Sequence, residues 1–331
     1  MKPLRHILTI CAAAMLLLVT ACNDTSRTAG PEPAFSLLVV QNVSAGTGDS
    51  ILQFPANGSG SITPSNTVSG PGQTSFNSVA LDTAGNLYIA AGMGTGPSTT
   101  YQILVYASGA TGSYTLTRTI TSTSLNSFIT SIALDATGDI YAVSGNSIVV
   151  FAPNAAANAA PVRQIAGTLT QINFAAQIAV DAAQNIYLAN ENGGNVLVFS
   201  STETGNIAPA AVLSGPMTVI SNPSGVAVDS SGNIYVASFN QPSNSSVLLE
   251  FAPGSSGNIA PVRTITSIAS DNIYALAVDA LDNLYVCDQN STSGQLAVDV
   301  FSPSVSGSTA PTASITSTAW TNSSLGQIAV R

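Results

Sequence analysis

The chain has 331 residues and a formal net charge of −9, and only 7% of its residues are charged, against a usual share of about 25%. Seven Lys and Arg oppose sixteen Asp and Glu, so no basic cluster is available to neutralise phosphates, and nucleic-acid binding is excluded. His6 is the only histidine. Ser-His-Asp and Cys-His catalysis and histidine-ligated metals are therefore excluded from any domain that follows it.

The first residues have the organisation of an export signal. Lys2 and Arg5 form a short positive segment, and an apolar run follows at 7–19. This run is too short to span a bilayer comfortably. It leads to Leu-Val-Thr-Ala-Cys at 18–22, with small residues directly before Cys22.

That segment resembles the lipobox of bacterial lipoproteins. The resemblance implies a signal peptide at 1–21, cleavage before Cys22 and lipidation of Cys22 by two or more acyl chains, enough for stable anchoring. Residues 22–34 would form a polar tether, and Asn23 favours the outer over the inner membrane of a bacterial envelope. An ordinary secretory signal, with Cys22 incidental, is the alternative.

An internal repeat dominates the rest of the sequence. The phrase Val-Ala-Leu-Asp-Thr-Ala-Gly-Asn-Leu-Tyr-Ile-Ala at 79–90 recurs with small changes at 132–143, 178–189, 226–237 and 276–287. Each copy is typical of a strand, a tight turn and a second strand. The aspartates of the copies, at positions 82, 135, 181, 229 and 279, recur at intervals of 53, 46, 48 and 50 residues.

Two further phrases complete each repeat. One ends in an aromatic residue, as in Ile-Val-Val-Phe at 148–151, and the next begins Ala-Pro, as in Ala-Pro-Val-Arg at 160–163. Four strands in about fifty residues predict one blade of a β-propeller. Residues 327–331 supply one more first strand, and residues 36–70 supply the other three strands of that blade. The sequence thus predicts an all-β, six-bladed propeller over 35–331, closed by a blade shared between the two termini, which removes open sheet edges.

The combined pattern resembles NHL repeats over residues 35–331. The resemblance implies four antiparallel strands in each of six blades. The sequence departs from the family before the third strand, where many NHL repeats carry a basic residue and this chain has neutral ones such as Asn195 and Ser246. The RNA-binding role known in the family is therefore not expected here.

The repeated aspartates are interpreted as structural turn caps that accept backbone N–H groups. A ring of ligands is the less favoured alternative. The caps are Asp82, Asp135, Asp181, Asp229 and Asp279. The tyrosines that follow them are predicted to be core residues, because they alternate with the strand: Tyr88, Tyr141, Tyr187, Tyr235 and Tyr285.

Candidate ligands lie in the loops between second and third strands, where propellers commonly bind. These loops contain carboxylate and amide oxygens, the donors that Ca²⁺ prefers. The alternative is that Asn and Asp occur there because turns need them. The candidates for a metal or another ligand at the channel face are Asp49, Asn190, Glu191, Asn192, Asn240, Asp288 and Asn290.

Other residues of interest are assigned packing roles. Cys287 is expected to pack as a small hydrophobe, and Trp320 to be either packing filler or a ligand platform. The stretches Glu203–Gly205 and Gly254–Gly257 are interpreted as simple turns.

The favoured function is a non-catalytic binding or scaffolding propeller on a bacterial envelope. It would be monomeric, contact the membrane only through its lipid anchor, and engage an envelope protein or glycan through one face. The alternative is an exported Ca²⁺-dependent hydrolase of the lactonase type, or a lyase, with its site at the central channel. Fold alone does not decide between them.

Overall fold

The computed structural model describes most of the chain beyond the predicted tether, as one compact unit over Phe35–Arg331. Among these residues no helix is long and apolar enough to cross a membrane. The predicted signal peptide, Cys22 and tether lie outside the described residues, which are 36–43, 48–70, 74–94, 98–108, 114–240, 245–266, 271–290, 292–303, 305–320 and 323–331.

The described strands form six antiparallel sheets, called blades 1 to 6. From the innermost strand outward, blade 1 consists of β25 (Ser323–Val330), β1 (Ser36–Val43), β2 (Ser50–Pro55) and β4 (Asn66–Ser69). The other blades follow the chain order: blade 2, β5 (Thr74–Leu81), β6 (Leu87–Met93), β7 (Thr100–Ser108), β8 (Tyr114–Ile120); blade 3, β9 (Ile129–Leu134), β10 (Ile140–Ser144), β11 (Ser147–Phe151), β12 (Arg163–Ala166); blade 4, β13 (Ala175–Val180), β14 (Ile186–Asn190), β15 (Asn195–Phe199), β16 (Ala211–Leu213); blade 5, β17 (Asn222–Val228), β18 (Ile234–Asn240), β19 (Ser245–Phe251), β20 (Arg263–Ile265); blade 6, β21 (Asp271–Val278), β22 (Leu284–Asn290), β23 (Leu296–Phe301), β24 (Ala313–Thr316).

The innermost strands close a ring. Each of them contacts the innermost strands of the two neighbouring blades, including β25 against both β5 and β21. In blade 1, Leu37 pairs with Val330 and Leu38 with Ala329, so the two ends of the unit share one sheet. The predicted six-bladed propeller, with a blade built from both ends, is confirmed.

The hydrophobic core lies between adjacent blades. Third-strand aromatics are fully buried, because alternate residues of each strand point into the space between two sheets: Phe54, Phe151, Phe199, Phe251 and Phe301. The repeated tyrosines are buried as predicted. Trp320 is 3% exposed and its ring meets Phe54 edge-on at 5.3 Å, so it packs in the core; it also lines a cleft between blades 6 and 1. Cys287 is fully buried, and burial raises the pKa of its thiol well above the usual value.

A belt of parallel bridges joins the outer strands of several blades to the next blade. Ile165 of blade 3 pairs with Gly205, Leu213 of blade 4 with Gly257, and Ile265 of blade 5 with Gly307. In the same position the two-residue strand β3 (Gly60–Ser61) of the shared blade pairs with β24. Each bridge satisfies backbone groups at an outer sheet edge.

The interpretation of Glu203–Gly205 and Gly254–Gly257 as simple turns was therefore wrong. Gly205 N–H donates to the Gln164 carbonyl at 2.7 Å, and Gly257 N–H donates to the Val212 carbonyl at the same distance. The residue that follows each of these glycines, Asn206 or Asn258, accepts a backbone N–H from the neighbouring blade. These segments fasten one blade to the next.

Candidate functional site

One end of the ring, here called the turn face, carries the Asp-containing turns between first and second strands. Asp181 is representative. Its Oδ1 accepts the N–H groups of Ala183 and Asn185 at 2.9 and 2.8 Å, and its Oδ2 accepts Asn185 Nδ2 at 2.8 Å and the Tyr187 hydroxyl at 3.0 Å. The fourth turn position has a positive φ in all five copies, usually at Gly, with Gln184 at 64° in this one. Both carboxylate oxygens are engaged within the turn.

The same turns raise the pKa of the repeated tyrosines. Burial and the hydrogen bond to Asp135 raise the pKa of Tyr141 to about 12, and burial and the charge of Asp181 raise the pKa of Tyr187 to about 12. A phenol held protonated in this way is a structural donor, because the state that would act as a base lies far from neutral pH.

Arginines beside the turn face are also engaged. The Arg163 guanidinium lies 5.5 Å from the Tyr141 ring centroid. It also donates to the carbonyls of Ser200 and Ser201, which directly follow the third strand of blade 4. Arg263 forms an ion pair with Glu250, and Arg118 lies 5.9 Å from the Tyr88 ring centroid. These cations stabilise contacts within and between blades.

Every innermost strand contains a bulge near the opposite end. One extra residue interrupts its pairing with the second strand, for example Ala176 between Ala175 and Gln177. The equivalent residues are Asn77, Thr130, Ser224 and Tyr274, with a sixth irregularity between Leu325 and Ile328. Bulges re-aim side chains and release backbone groups from the ladder.

Side chains that follow the bulges accept backbone N–H groups from neighbouring blades. Ser78 Oγ accepts Ile132 N–H at 3.0 Å, and Ser131 Oγ accepts Ile178 N–H at 3.2 Å. At the next equivalent position, Gln177 Oε1 accepts the N–H groups of both Val226 and Leu276 at 3.1 Å. Gly225 makes room for this, because a Cβ there would lie 3.0 Å from Gln177 Oε1.

Glutamines therefore cross the channel. Gln327 of blade 1 donates across the ring to the Ala176 carbonyl of blade 4 at 3.3 Å, and Gln177 links blades 4, 5 and 6. The channel cavity, of about 190 Å³, is lined by these two amides and by apolar residues of the innermost strands, with no ionisable side chain. The channel cavity therefore offers two amides and no acid or base, and the larger cavities lie at the opposite end of the ring from the turns.

We call that end the loop face; it carries the connections between second and third strands and between successive blades. One second-strand position there is buried in every blade: Gln41, Ala91, Ser144, Asn190, Ser238 and Asp288. Ser144 and Ser238 hold the preceding inter-blade loop by hydrogen bonds. Asn190 does the same, accepting Asn173 N–H at 2.7 Å and donating to Gln171 and Asn195. The predicted candidates Asn190 and Asp288 both occupy this buried position, and neither lines the two cavities described below.

The other predicted candidates are scattered over the loop face. Asp49 Oδ1 accepts Val43 N–H at 3.0 Å, and its Oδ2 accepts Asn42 Nδ2 and Phe76 N–H at 2.9 and 2.8 Å. Asn290 Oδ1 organises its own turn by accepting from Thr292 and Ser293. Asn192 is exposed and Asn240 ends β18.

The seven predicted residues belong to four different blades. The side-chain oxygens of Asp49 and Asn190 already accept hydrogen bonds from protein groups, whereas a Ca²⁺ ligand would have to direct its oxygen at the ion. In the part of the chain that the structure describes, no three His, Cys, Asp or Glu side chains are grouped closely enough to share a metal ion.

An aromatic cavity of about 230 Å³ lies on the loop face over blades 1 to 4. Phe128 and Phe174 line it, with Asn42, Asn77 and Thr130. The two phenylalanines stand at equivalent positions, each two residues before a bulge, and they are 43% and 46% exposed. Large aromatic rings that remain exposed on adjacent blades indicate a binding surface.

Phe174 is also held in a strained conformation. Its φ is +53°, a left-handed value that is a genuine outlier for a bulky residue. Neighbours fix it: Phe174 N–H donates to Asn146 Oδ1 at 3.2 Å, and its carbonyl accepts Glu191 N–H at 3.1 Å. Such strain occurs preferentially where function requires a particular side-chain placement.

An amide cavity of about 440 Å³ adjoins the aromatic one over blades 4, 5 and 6. Its lining includes Glu191, Asn222, Phe239, Asn272 and Tyr274, and it shares Ala176 with the aromatic cavity. Burial raises the pKa of Glu191. Glu191 is the one predicted candidate that lines either cavity.

A larger cleft of about 580 Å³ lies at the junction of blades 6 and 1. Hydroxyl and amide residues such as Gln289, Gln295 and Ser317 line it, without an ionisable group. Its one aromatic lining residue, Trp320, is only 3% exposed, and no acid lines it, so the paired aromatic and amide cavities form the better candidate site.

Sequence reasoning missed Phe128, Phe174, Asn222 and Asn272. Phe128 and Phe174 lie directly before the innermost strands of their blades, and Asn222 and Asn272 lie at the start of theirs, all outside the repeated phrase. One signal was present, because each precedes the Ile-Ala-Val type strand by a fixed number of residues, and only the copies in blades 3 and 4 place Phe there. The bulge that turns them toward one face is visible only in the strand register.

Neither a protein-family model nor a curated relative matches the sequence. Solved structures with the same fold include a protein of unknown function from Bacteroides caccae (TM-score 0.58, 12% identity, covering 89% of this chain and 98% of that one). A putative 6-phosphogluconolactonase from Bacteroides uniformis is also similar (0.53, 14%, 82% and 80%). A third is the periplasmic gluconolactonase PpgL from Pseudomonas aeruginosa (0.53, 13%, 82% and 80%). At these identities the likeness establishes the fold: the chain is a β-propeller with bacterial structural neighbours.

Proposed function

We propose that this chain is a non-catalytic propeller that binds a neutral glycan of the cell envelope through its loop face. The observation that carries the proposal is the pair of exposed rings, Phe128 and Phe174, in a cavity that continues into one lined by Asn222 and Asn272. A sugar presents an apolar ring face and a rim of hydroxyls. Apolar walls with a few placed polar groups are the usual composition of a ligand site.

The charge distribution supports a neutral ligand. The described arginines in blades 2, 3 and 5 are engaged by tyrosines, by Glu250 or by blade-to-blade carbonyls near the turn face. The two loop-face cavities contain Glu191 and no basic residue. An anionic polymer would therefore meet no compensating charge there, which selects against it.

A binding role also fits the shortage of catalytic groups. No histidine or lysine follows residue 6, and the turn aspartates engage both carboxylate oxygens locally, as at Asp181. What the loop face retains is shape, aromatic surface and amide donors. These are means of recognition more than of bond breaking.

The proposal includes a cellular location. In it, the chain is an NHL-type lipoprotein acylated at Cys22, tethered through 22–34 to the outer membrane and monomeric. The test is metabolic labelling with an alkyne fatty acid in a bacterial host: the native chain should carry label and sediment with membranes, whereas Cys22→Ser should do neither. Label retained by the Ser variant would contradict the anchor.

Affinity electrophoresis tests the glycan proposal directly. The chain from residue 23 contains every described strand and core cluster. It is run through native gels that contain laminarin, xylan or galactomannan, with anionic alginate as the contrast. At least one neutral polymer should retard it and alginate should not.

The variants Phe174→Ala and Asn272→Ala should abolish the retardation. Met217→Ala is the matched control, since Met217 is a large exposed apolar residue, 57% exposed, outside both cavities. Retardation that survives both cavity variants would overturn the proposal, and so would a chain that no neutral polymer retards but that captures an envelope protein.

A lactonase-like hydrolase is the second candidate. It is favoured by the names of two structural neighbours and by Glu191, an acid with a raised pKa in a cavity, a feature of acid–base catalysts. Among the described residues no three His, Cys, Asp or Glu side chains are grouped closely enough to share a metal ion. Lactone turnover that EDTA abolishes and Glu191→Gln removes would establish this function in place of glycan binding.

A further inference from the structure

The aromatic and amide cavities meet at a single residue, Ala176, which lines both. Ala176 is the bulge residue of blade 4. At the equivalent bulge blades 2, 3, 5 and 6 carry larger side chains, such as Thr130 in blade 3 and Tyr274 in blade 6, whereas blade 1 has Gly326. The wall between the aromatic and amide cavities therefore carries no more than the methyl group of Ala176.

The backbone under this low wall is fixed from two sides. Gln327 Nε2 donates to the Ala176 carbonyl across the channel, and Thr130 Oγ1 donates to the Ala175 carbonyl at 2.7 Å. Gln177, next in the chain, is buried and bonded to blades 5 and 6. Because these bonds hold the main chain in place, the height of the wall depends on the side chain at position 176.

The two cavities are better matched to one ligand than to two. The aromatic cavity, at about 230 Å³, is smaller than the roughly 300–1,000 Å³ of an ordinary small-molecule site. The amide cavity, at about 440 Å³, falls within that range. The aromatic cavity therefore has the size of an extension of its neighbour.

We propose that Ala176 joins the two cavities into one groove, and that the ligand is an oligosaccharide chain that crosses it. One part of the chain would lie against Phe128 and Phe174, and another would hydrogen-bond near Asn222 and Asn272. This inference rests on the glycan-binding function proposed above. It makes Ala176 a specificity-determining residue that selects for ligand length.

The experiment measures affinity against chain length. Calorimetry uses size-fractionated oligosaccharides, from the monosaccharide to the octasaccharide, prepared from the neutral polymer that retards the protein. Wild type should bind the longer chains at least about tenfold more tightly than the shortest, a difference of about 1.4 kcal/mol. The gain should level off once a chain spans both cavities.

Ala176→Tyr raises the wall with a side chain that the fold already accepts at the blade 6 bulge, Tyr274. It should abolish the gain from length, so that long chains bind no more tightly than short ones. Ser224→Tyr is the matched control, because Ser224 is also a bulge residue but lines only the amide cavity. It should weaken short and long chains alike.

Failure of this inference is distinguishable from failure of the proposed function. If wild type binds no neutral glycan, both the glycan-binding function and the groove are overturned. If wild type binds with an affinity independent of length, or if Ala176→Tyr weakens short and long chains equally, only the groove is overturned. The wild-type length profile decides by itself should the Tyr variant not fold.

Discussion

The turn face and the loop face are built from the same sixfold repeat, yet their polar groups are used differently. On the turn face each Asp is matched by its own Asn or turn N–H groups, as at Asp181. On the loop face the equivalent positions differ from blade to blade, with Phe128 and Phe174 in two blades and Asn222 and Asn272 in the next two.

This difference separates structural positions from functional ones without any alignment of relatives. Six blades that must all close one ring have the same mechanical requirement, so the positions that meet it repeat. A position that varies while its backbone stays equivalent is released from that requirement. In this propeller the varied positions before the bulges are also the ones that line cavities.

The largest expected effect tests the turn face. Asp181→Ala removes the acceptor for two backbone N–H groups, for the Asn185 side-chain amide and for the Tyr187 hydroxyl. Each hydrogen bond to a charged group contributes about 1.5–3 kcal/mol. The unfolding free energy measured in urea should fall by about 2–3 kcal/mol. On the loop face, Asn192→Ala at an exposed site should change it by no more than about 0.5 kcal/mol. Equal losses at both positions would remove the contrast between the faces.

A smaller effect, with a diagnostic sign, concerns Phe174. At ordinary positions Gly is less stable than Ala by about 0.5–1 kcal/mol. At a positive φ the order reverses, because Ala must bear the left-handed strain of about 1–2 kcal/mol. Phe174→Gly should therefore unfold at a higher urea concentration than Phe174→Ala.

Phe128 is the control for that pair of variants. It occupies the equivalent position in blade 3 and is not among the residues with positive φ. There Phe128→Gly should be the less stable variant. The same order at both positions would show that strain at Phe174 is negligible, and would weaken the argument that its conformation is kept for binding.

The smallest expected effects depend on pH and have opposite signs on the two faces. Burial raises the pKa of Glu191, so its charge costs stability at neutral pH, and the cost disappears as pH falls through the raised pKa. Glu191→Gln should thus be more stable than wild type at about pH 7, and indistinguishable from it below about pH 4.

Asp135 on the turn face should behave in the reverse way. Burial acts to raise its pKa, but hydrogen bonds from Thr137, Asp139 N–H and Tyr141 outweigh it and lower the pKa. Its contribution to stability is present above the unfolded-state pKa and is lost as pH falls through the folded one. Asp135→Asn should therefore destabilise at neutral pH and less in acid. Urea titrations of Glu191→Gln and Asp135→Asn beside wild type, at about pH 7 and below about pH 4, check whether the two changes in unfolding free energy have opposite signs.

The fold could be predicted from sequence because the signal was repeated. Five copies of the Asp-turn phrase predict the strands, the turns and the number of blades. The tyrosine of each copy, for example Tyr235, is buried as the strand alternation predicts. The blade-to-blade fastening was missed although Gly-Asn-Ile-Ala-Pro recurs at 205–209 and 257–261. The pattern was visible, but its partner, an outer strand of the preceding blade, is distant in sequence.

The candidate site was less predictable for a physical reason. Loop oxygens were the natural ligands to consider, but Asn190 turns inward to hold a loop, and only Glu191 lines a cavity. The residues that do face the groove are aimed by bulges, and a single extra residue in a strand redirects every side chain near it. That displacement depends on pairing register, which composition and spacing do not encode.

The shared blade has a consequence for how the propeller forms. Leu37 and Val330 are paired neighbours in blade 1 and yet are separated by almost the whole unit. Contacts between such distant segments form slowly, because a large loop must close before they contribute any stability. Blades 2 to 6 each consist of continuous chain and can assemble locally, whereas β25 can join β1 only when both ends of the ring are in place. The step that closes the circle is therefore expected to limit the rate of folding.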